Sequence, residues 1–493
     1  MRRSLLRFSP LSLALVWAGC SDSAVEPTAD LDPPPTAENL VAPPAADAAS
    51  LQAALDAAVS TGGTVIVRGT IKLDVPLTYV GDQDLTILGW RGARIVGPAA
   101  KIDAPSRSSV RVGEETVGDG LQILGSPDLQ IRNVDFEDQS GHGIYFELTD
   151  DATGTVNFDF RRVSFRDQGL SGMWVEDQAG GSEAVPDPIN SSASIHLQLR
   201  NVAVTGTGFA EDKAQSCREI EDEAEGCPWA DFDGMRVNEG GNGGLTFDLA
   251  NVDFSHNAGD GIELDETDGG NAQGTVVRSS FNRNGEQPQY PIDVEDGFDI
   301  DEVGGGGVNL VMRNVEVNDN VDEGVDLDEN GGGSVEFTAR RLVATGNVDE
   351  NIKITESEDD PTGAGNIVLD LVRVTADGSL DSRGARFEEF GGGSVLGSIR
   401  NSTFSGNTED DGLRIDEEAR GSVDVSLRGV TASDNGGQGF QVTENEGGNM
   451  ALRIVASVFA GNDNTAVELE EEDGGGHDVQ VRGSALVGEG EEE

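Results

Sequence analysis

Three short segments decide the fold of this chain: DGIELD (residues 260–265), DGFDID (296–301) and EGVDLD (323–328). In each, a Gly is followed by two apolar residues with an acidic residue between them. The pattern returns along the chain, most often at a spacing of 27 residues, as from Gly297 to Gly324. A fixed period of this length is typical of a solenoid built from stacked repeats. The marker positions are Gly120, Gly143, Gly172, Gly234, Gly261, Gly297, Gly324, Asn351, Gly384, Gly412, Gly439 and Ala466.

The two residues that alternate after each marker are apolar in every repeat. Period-two alternation predicts a β-strand with one buried face. A coil whose turns stack in register must keep this phase, because each inward side chain lies on its equivalent in the next turn. The predicted inward pairs are Leu121/Ile123, Ile144/Phe146, Met173/Val175, Met235/Val237, Ile262/Leu264, Phe298/Ile300, Val325/Leu327, Ile352/Ile354, Ala385/Phe387, Leu413/Ile415, Phe440/Val442 and Val467/Leu469.

Asparagine recurs at two further positions of the repeat. Asn tolerates a left-handed backbone and stacks into hydrogen-bonded ladders, so both sets predict structural turns. The first set precedes a short third strand and comprises Asn133, Asn201, Asn251, Asn314 and Asn401; the second follows that strand and comprises Asn257, Asn320, Asn347, Asn407, Asn435 and Asn462.

From Leu51 to about Val487 the repeats resemble those of the pectate-lyase-like right-handed parallel β-helix superfamily. The resemblance implies an all-β, right-handed, single-stranded parallel β-helix of about 12 or more turns. The segment Leu51–Leu55, with Asp47 as an N-cap, predicts the short helix with which superfamily members cap the N-terminal end of the coil. This fold hosts lyases, hydrolases, epimerases, adhesins and scaffolds, so the resemblance alone does not define an activity.

The N-terminal residues predict export. Trp17-Ala18-Gly19-Cys20 resembles a bacterial lipobox after a short apolar stretch, which implies a signal peptide over 1–19 and lipidation of Cys20. We expect an outer-membrane or cell-surface lipoprotein, monomeric, that contacts the membrane only through its lipid. The predicted remainder is a Pro/Ala-rich disordered tether (20–46), the β-helix domain (47–487) with a loop insertion at 207–232, and an acidic tail (488–493). Cys217 and Cys227, in an oxidising compartment, predict a disulfide within the insertion.

The charge of the chain is strongly negative. It has 91 acidic and 33 basic residues, a formal net charge of −58. Such a surface repels nucleic acid, which excludes a nucleic-acid partner. The acidity is explained either by adaptation to high salt or by a cation-binding function, and these two explanations are compatible.

In the resembled superfamily, substrates lie along the outward face of the first strand of each turn. In this chain Tyr145, Trp174 and Arg236 occupy successive turns there and are predicted to bind substrate. The next three turns are acidic, and carboxylates stacked about 4.8 Å apart repel one another. We therefore predict Ca²⁺, which takes six to eight oxygen ligands. The predicted metal ligands are Asp260, Glu263, Asp265, Asp296, Asp299, Asp301, Glu323, Asp326 and Asp328.

Basic residues follow on the next turns, and they lead to three hypotheses for function. The first is binding of an acidic polysaccharide with cleavage by β-elimination, with Lys353 as the base and Arg386 and Arg414 holding substrate carboxylates. The alternative role for Lys353 is a plain ion pair with Asp326. The second hypothesis is a non-catalytic, Ca²⁺-binding surface or adhesin-like protein, and the third is a glycoside hydrolase with paired carboxylates.

Overall fold

The computed structural model describes residues 43–99, 111–112, 115–116, 118–177, 191–209, 232–286, 295–357, 365–471 and 475–488. Over these residues the protein is nearly all β, with a single helix and mostly parallel sheets. The predicted signal peptide and the three cysteines lie outside the described residues. Within them, no helix has the length and apolar character needed to cross a membrane.

The elements follow one another in chain order. The helix is α1 (Ala48–Thr61). The first strands are β1 (Gly63–Lys72), β2 (Leu77–Val80), β3 (Leu85–Val96), β4 (Arg111–Val112), β5 (Glu115–Thr116), β6 (Leu121–Leu124), β7 (Leu129–Glu137), β8 (Ile144–Glu147), β9 (Thr153–Arg166), β10 (Met173–Glu176) and β11 (Ser192–Thr205). The middle strands are β12 (Met235–Glu239), β13 (Leu245–Ala250), β14 (Asp253–Phe254), β15 (Ile262–Asp268), β16 (Ala272–Val277), β17 (Ser280–Asn282), β18 (Phe298–Gly304), β19 (Val308–Asn318), β20 (Val325–Gly331), β21 (Val335–Thr345), β22 (Ile352–Glu356), β23 (Ile367–Val372) and β24 (Thr375–Asp377). The last strands are β25 (Ala385–Glu389), β26 (Val395–Arg400), β27 (Leu413–Glu417), β28 (Val423–Arg428), β29 (Thr431–Ser433), β30 (Phe440–Glu444), β31 (Asn449–Val455), β32 (Val458–Asn462), β33 (Val467–Glu471), β34 (Gly476–Arg482) and β35 (Ala485–Gly488).

Each repeat adds one strand to a 13-stranded sheet, here called the first sheet. Its strands pair in parallel and in chain order, so every repeat lies beside the next. Such pairing between repeats far apart in sequence is the topology of stacked coils. The strands of the first sheet are β2, β6, β8, β10, β12, β15, β18, β20, β22, β25, β27, β30 and β33.

The second strands of the repeats, together with some short third strands, form a second, 17-stranded sheet. Its long strands also pair in parallel and in chain order, and short third strands continue some of the coils. Near the C-terminal end, β29, β32 and β35 form a separate three-stranded sheet. Both large sheets therefore have the same stacking direction.

The core lies inside the coils and is made by the predicted inward pairs. Both side chains are buried in each of the first eleven pairs, whereas Val467 and Leu469 of the last pair are half-buried. One aromatic example is Phe298, whose ring lies 5.2 Å from that of Phe281 in an edge-to-face contact. The period-two prediction of the buried face is confirmed at these positions.

The marker glycines are explained by a close approach between coils. A Cβ on Gly261 would lie 2.3 Å from the carbonyl oxygen of Gly297, the marker of the next coil. The asparagines behave as predicted too. Asn251 has a φ of 53°, and Asn320 donates its side-chain N–H to Asn347 at 2.9 Å in a buried ladder. Turns and marker positions are therefore set by backbone geometry.

Helix α1 closes the N-terminal end of the coils. Asp47 accepts the backbone N–H of Ser50 at 2.8 Å, which confirms the predicted N-cap. Leu51, Leu55 and their neighbours on the same face are buried. The helix thus covers core that the first coil would otherwise expose.

The predicted tether ends earlier than residue 46. Ala45 is fully buried, and its N–H donates to the carbonyl of Ile66 at 2.8 Å while its own carbonyl accepts from Arg68. The boundary was wrong because Ala and Pro composition predicts disorder, whereas Ala45 pairs as a single bridge with β1. At the other end, β35 includes Gly488, one residue beyond the predicted domain.

We predict that Gly261→Ala lowers the free energy of unfolding by about 1–3 kcal/mol, because its Cβ would collide with the backbone of the next coil. The matched control is Gly332→Ala, since a Cβ there meets no atom within 4 Å. Thermal unfolding followed by circular dichroism compares the two variants. Equal melting temperatures for both would contradict the close-packing explanation.

Candidate functional site

Three strands of the first sheet bring the acidic columns together. In β15, β18 and β20 the residues pair in register, so Asp299 lies between Glu263 and Asp326. A second outward column, two residues further along, is formed in the same way by Asp301 with its partners on either side. Neighbouring strands are about 4.8 Å apart, which places like charges close to one another. The predicted stacking of these columns is therefore confirmed.

The column that precedes the marker glycines is held by the backbone. Asp233 accepts the N–H of Asp260 at 2.9 Å, and Asp296 accepts the N–H of Glu323 at 2.6 Å. In each case one carboxylate oxygen is fixed against the next coil. The second oxygen of Asp233 lies 4.0 Å from the guanidinium of Arg236, whereas Asp296 belongs to two groups of converging carboxylates.

Two basic side chains flank the acidic patch. Arg236 donates to Asp265 at 2.9 Å and also pairs with Glu263 on one side. On the other side, the Nζ of Lys353 lies 2.7 Å from Asp326 and 3.4 Å from Glu323. Two cations thus face the nine predicted metal ligands, which leaves a large excess of negative charge between them.

Asp299 is the centre of this excess. Within the described residues, neither Asp299 nor Asp301 makes a hydrogen bond or an ion pair with a basic side chain. Asp299 belongs to two groups of three carboxylates, each with an oxygen of every member within 4.8 Å of the others. The two groups are Glu263/Asp299/Asp301 and Asp296/Asp299/Asp326. Glu263, Asp296 and Glu323 also belong to two groups each. Glu263 pairs with Arg236, Glu323 pairs with Lys353, and Asp296 accepts a backbone N–H. Asp299 has none of these contacts and is therefore the side chain best placed to coordinate a cation.

The electrostatic cost of the patch is visible in its pKa values. Burial, and then the charges of Asp301 and Asp326, raise the pKa of Asp299 well above the ordinary value. Burial likewise raises the pKa of Glu323 to about 8, although Lys353 opposes this change. Carboxylates in such surroundings are stabilised either by protons or by bound cations. A hard divalent ion with flexible coordination, such as Ca²⁺, suits this oxygen-only donor set.

Aromatic side chains occupy the turns before the patch. Tyr145 and Trp174 lie on paired strands, and the buried ring of His142 is 5.7 Å from the first and 5.4 Å from the second. The guanidinium of Arg236 lies 5.3 Å from the centre of the Trp174 ring. The half-buried rings of Tyr145 and Trp174 therefore lie beside Arg236, which in turn lies beside the acidic patch.

The basic residues beyond the patch are paired with carboxylates of their own strands. Arg386 bonds to Glu388, and Arg414 bonds to Asp416. Arg236, described above, is likewise engaged. A substrate carboxylate held by these arginines would therefore share each guanidinium with a carboxylate of the protein.

The argument for Lys353 as a general base is corrected by its surroundings. A lysine acts as a general base only when its pKa is lowered, for example by burial or by a cationic neighbour such as Arg386. Burial does act in that direction, but Asp326, Asp328 and Glu323 together raise the pKa of Lys353 above its ordinary value. The ammonium group is thus held charged, and the geometry favours the alternative ion pair with Asp326.

Several carboxylates of the same region were not predicted. Asp233 forms a close group with Asp260 and Glu263, and Glu323 belongs to two further groups. Each of them directly precedes a marker residue or lies one position further from it, and this is the sequence feature by which they could have been predicted. The unpredicted members are Asp233, Asp322, Asp349 and Glu350.

Comparisons with known proteins give only distant structural likenesses. No protein family and no curated protein matches the sequence. The chain is similar to the A-module of the mannuronan C-5 epimerase AlgE6 of Azotobacter vinelandii, at 12% identity and a TM-score of 0.36, over 91% of this chain and 97% of that one. It is also similar to the Dettilon tailspike protein, at 12% identity and a TM-score of 0.31, over 82% and 64%. A third likeness is to PfbA, a surface adhesin of Streptococcus pneumoniae, at 10% identity and a TM-score of 0.19, over 87% and 89%. Likenesses at these scores do not assign a function to this chain.

We predict that Lys353→Ala costs about 2–3 kcal/mol of stability, because it leaves Asp326 and Glu323 without their counter-charge in a largely buried position. The cost should be larger at about pH 9 than at about pH 6, since Glu323 ionises as the pH rises through its pKa of about 8.

The matched control for Lys353→Ala is Arg340→Ala. Arg340 pairs with Asp370 at 2.8 Å, but both side chains are substantially exposed. Its loss should cost less than about 1 kcal/mol. Chemical denaturation at both pH values, with chelator present, measures the difference. Equal losses for the two variants would show that Lys353 is only a surface charge.

Proposed function

We propose that this chain is a surface-anchored envelope lipoprotein that binds acidic polysaccharide through Ca²⁺ held on the outward face of its first sheet. The observation that carries the proposal is the position of Asp299, shared by two carboxylate triads and without a basic partner in the described part of the chain. Ca²⁺ takes six to eight oxygen ligands, so three carboxylates leave coordination positions for a ligand. Carboxylates of an acidic glycan can fill those positions.

The overall charge favours a bridging cation over direct binding. A chain with a net charge of −58 repels a polyanion at long range. Arg236, Arg386 and Arg414 are already engaged by protein carboxylates. A metal ion that neutralises both partners removes the repulsion, so glycan binding should depend strongly on Ca²⁺.

The aromatic surface supports the choice of a sugar as the ligand. Tyr145 and Trp174 are half-buried on adjacent strands, with rings that sugar faces can stack on. A linear polysaccharide that lies along the first sheet would contact these rings and the acidic patch in succession. The polymer axis would then run parallel to the direction in which the repeats stack.

The finer features of the fold belong to the same proposal. The coil is right-handed, in keeping with the general hand of connections between parallel strands, and has about 12 or more turns. Lipidation of Cys20 would anchor it to the outer membrane or cell surface, with the tether separating the coil from the lipid. The protein acts as a monomer.

Binding without cleavage is favoured over β-elimination. Elimination needs a group that removes a proton from the sugar, and Lys353 is held protonated by three carboxylates. The acidic patch can still hold a uronate without an adjacent base. The proposed activity is therefore adhesion or capture.

The proposal is tested with the purified full chain on immobilised alginate, pectate and glycosaminoglycans. We predict binding in Ca²⁺, loss of binding in chelator, and at least about tenfold weaker binding for Asp299→Asn, equivalent to about 1.4 kcal/mol. The matched control is Asp424→Asn, since Asp424 is exposed on the second sheet.

Three outcomes would contradict parts of this proposal. Binding that persists in chelator would remove the cation from the mechanism. Equal weakening by Asp299→Asn and Asp424→Asn would indicate diffuse charge effects. A Ca²⁺-dependent rise in the ultraviolet absorbance of unsaturated uronate would make the protein a lyase.

A further inference from the structure

A column of glutamates runs along the inner side of the first sheet and has no part in the proposed function. These residues come five positions after each marker, in phase with the inward apolar pairs. They face one another in register from strand to strand over nine strands. The first eight side chains are fully buried. The column comprises Glu239, Glu266, Glu302, Glu329, Glu356, Glu389, Glu417, Glu444 and Glu471.

One oxygen of these glutamates is fixed by a turn. Glu389 accepts the backbone N–H of Gly393 at 3.0 Å, and Glu417 accepts that of Gly421 at 2.7 Å. Glycine is required at the donor, because a Cβ on Gly393 would lie 1.3 Å from the carbonyl oxygen of Gly365. The same bond to a glycine N–H fixes one oxygen of seven glutamates of the column, from Glu266 to Glu444.

The second oxygen is buried without a protein donor. The Oε2 atoms of Glu356, Glu389 and Glu417 have no hydrogen-bond donor in the described part of the chain. A buried polar atom in this state destabilises the folded protein, and a charged group does so more strongly. The same feature recurs on successive coils, so it is a property of the column.

The groups that face these oxygens are also carboxylates. Glu389 lies between Glu356 and Glu417, and Glu356 additionally faces Glu329 and the hydroxyl of Ser357. No Lys or Arg contributes to the surroundings of these three glutamates within the described residues. Burial first, and then Glu356, raise the pKa of Glu389 to about 8, whereas the N–H of Gly393 and the carboxyl group of Glu417 act in the opposite direction.

The geometry of the column differs from that of the outward patch. Among the described residues, every group of three carboxylates close enough to hold a metal ion lies outside this column. A single file of carboxyl groups offers a cation few ligands, whereas a proton needs only one oxygen on each side. A carboxylic acid that donates to a carboxylate forms a short, charge-assisted hydrogen bond.

We propose that Glu356, Glu389 and Glu417 form a proton-sharing ladder, in which a protonated carboxyl group of one coil donates its O–H to a carboxyl oxygen of a neighbouring coil. The ladder gives each unpartnered oxygen a hydrogen bond and removes the repulsion between coils. It makes the stack of coils more stable in mild acid than in base.

The direction of the pH effect follows from the raised pKa. The ordinary value for Glu is 4.5, and the values for Glu389 and Glu417 in the folded chain are about 8. The folded state holds these protons more tightly than the unfolded state. The ladder's contribution is therefore fully present below about pH 4.5 and is lost as the pH rises through about 8.

The test compares Glu389→Gln with Glu409→Gln in the full chain, with chelator present. Gln keeps the size of Glu and can donate an N–H to a neighbouring carboxylate, but it does not titrate. Glu409 is exposed and outside the ladder. If Glu389→Gln fails to fold, Glu417→Gln provides the same comparison.

Infrared spectroscopy at about pH 6 should show the C=O stretch of protonated carboxylic acids, weaker in Glu389→Gln and unchanged in Glu409→Gln. The fall in melting temperature between about pH 5 and about pH 9 should be smaller in Glu389→Gln than in the parent chain.

Two results would overturn the ladder. The first is an infrared band and a pH dependence that are the same in Glu389→Gln, Glu417→Gln and the parent. The second is a melting temperature that changes when sodium is replaced by choline but not when the pH changes, because cations would then occupy the column.

Discussion

The stacking of each residue on its equivalent in the next coil is the interaction on which the structure depends. Parallel strands in register are about 4.8 Å apart, so one position of the repeat becomes one continuous column. Apolar columns gain from this arrangement, because Ile262 and its equivalents bury one another. Asparagine columns gain too, since Asn320 donates to Asn347, and Asn347 donates in turn to Asn351. Charged columns do not, and the protein has to offset a cost at both its outward and its inward acidic columns.

The outward and inward carboxylates offset that cost by different means. On the outward face, Arg236 and Lys353 flank the patch, and the centre at Asp299 has the geometry of a cation site. On the inward face, Glu356, Glu389 and Glu417 have no ion pair with a basic side chain within the described residues, and glycine N–H groups fix one oxygen of each. We infer that cations neutralise the outward carboxylates and that protons neutralise the inward glutamates. The difference follows from access to solvent and from the number of oxygens that converge.

Much of the fold could be predicted from the sequence, because two periodicities occur together. Apolar residues alternate within each strand, and the same alternation returns in each repeat, usually after 27 residues. The inward pairs, the left-handed Asn251 and its equivalents, and the stacking of Glu263 on Asp299 all follow from these two periods. The hand of the coil and the anchoring at Cys20 stay predictions. Ala45 was misassigned, since composition does not reveal a single backbone bridge to β1.

The candidate site was predicted less completely, for two physical reasons. Side-chain pairing depends on rotamers, so the sequence did not reveal that three carboxylates converge on Lys353 and hold its proton. The inner column was missed because the predicted inward pairs end two residues before Glu389 and its equivalents. Their phase was the available signal: they continue the inward alternation of Ala385 and Phe387, and the residue is Glu in nine successive repeats.

The central claim is that the outward columns create a defined cation site and not merely an acidic surface. The most direct measurement is a crystal structure of the protein grown with terbium, a substitute for Ca²⁺ with strong anomalous scattering. The account predicts an anomalous peak bonded to Asp299 at about 2.3–2.6 Å, the range of Ca²⁺–oxygen distances. Peaks scattered over other acidic surfaces, with none between β15 and β20, would contradict it.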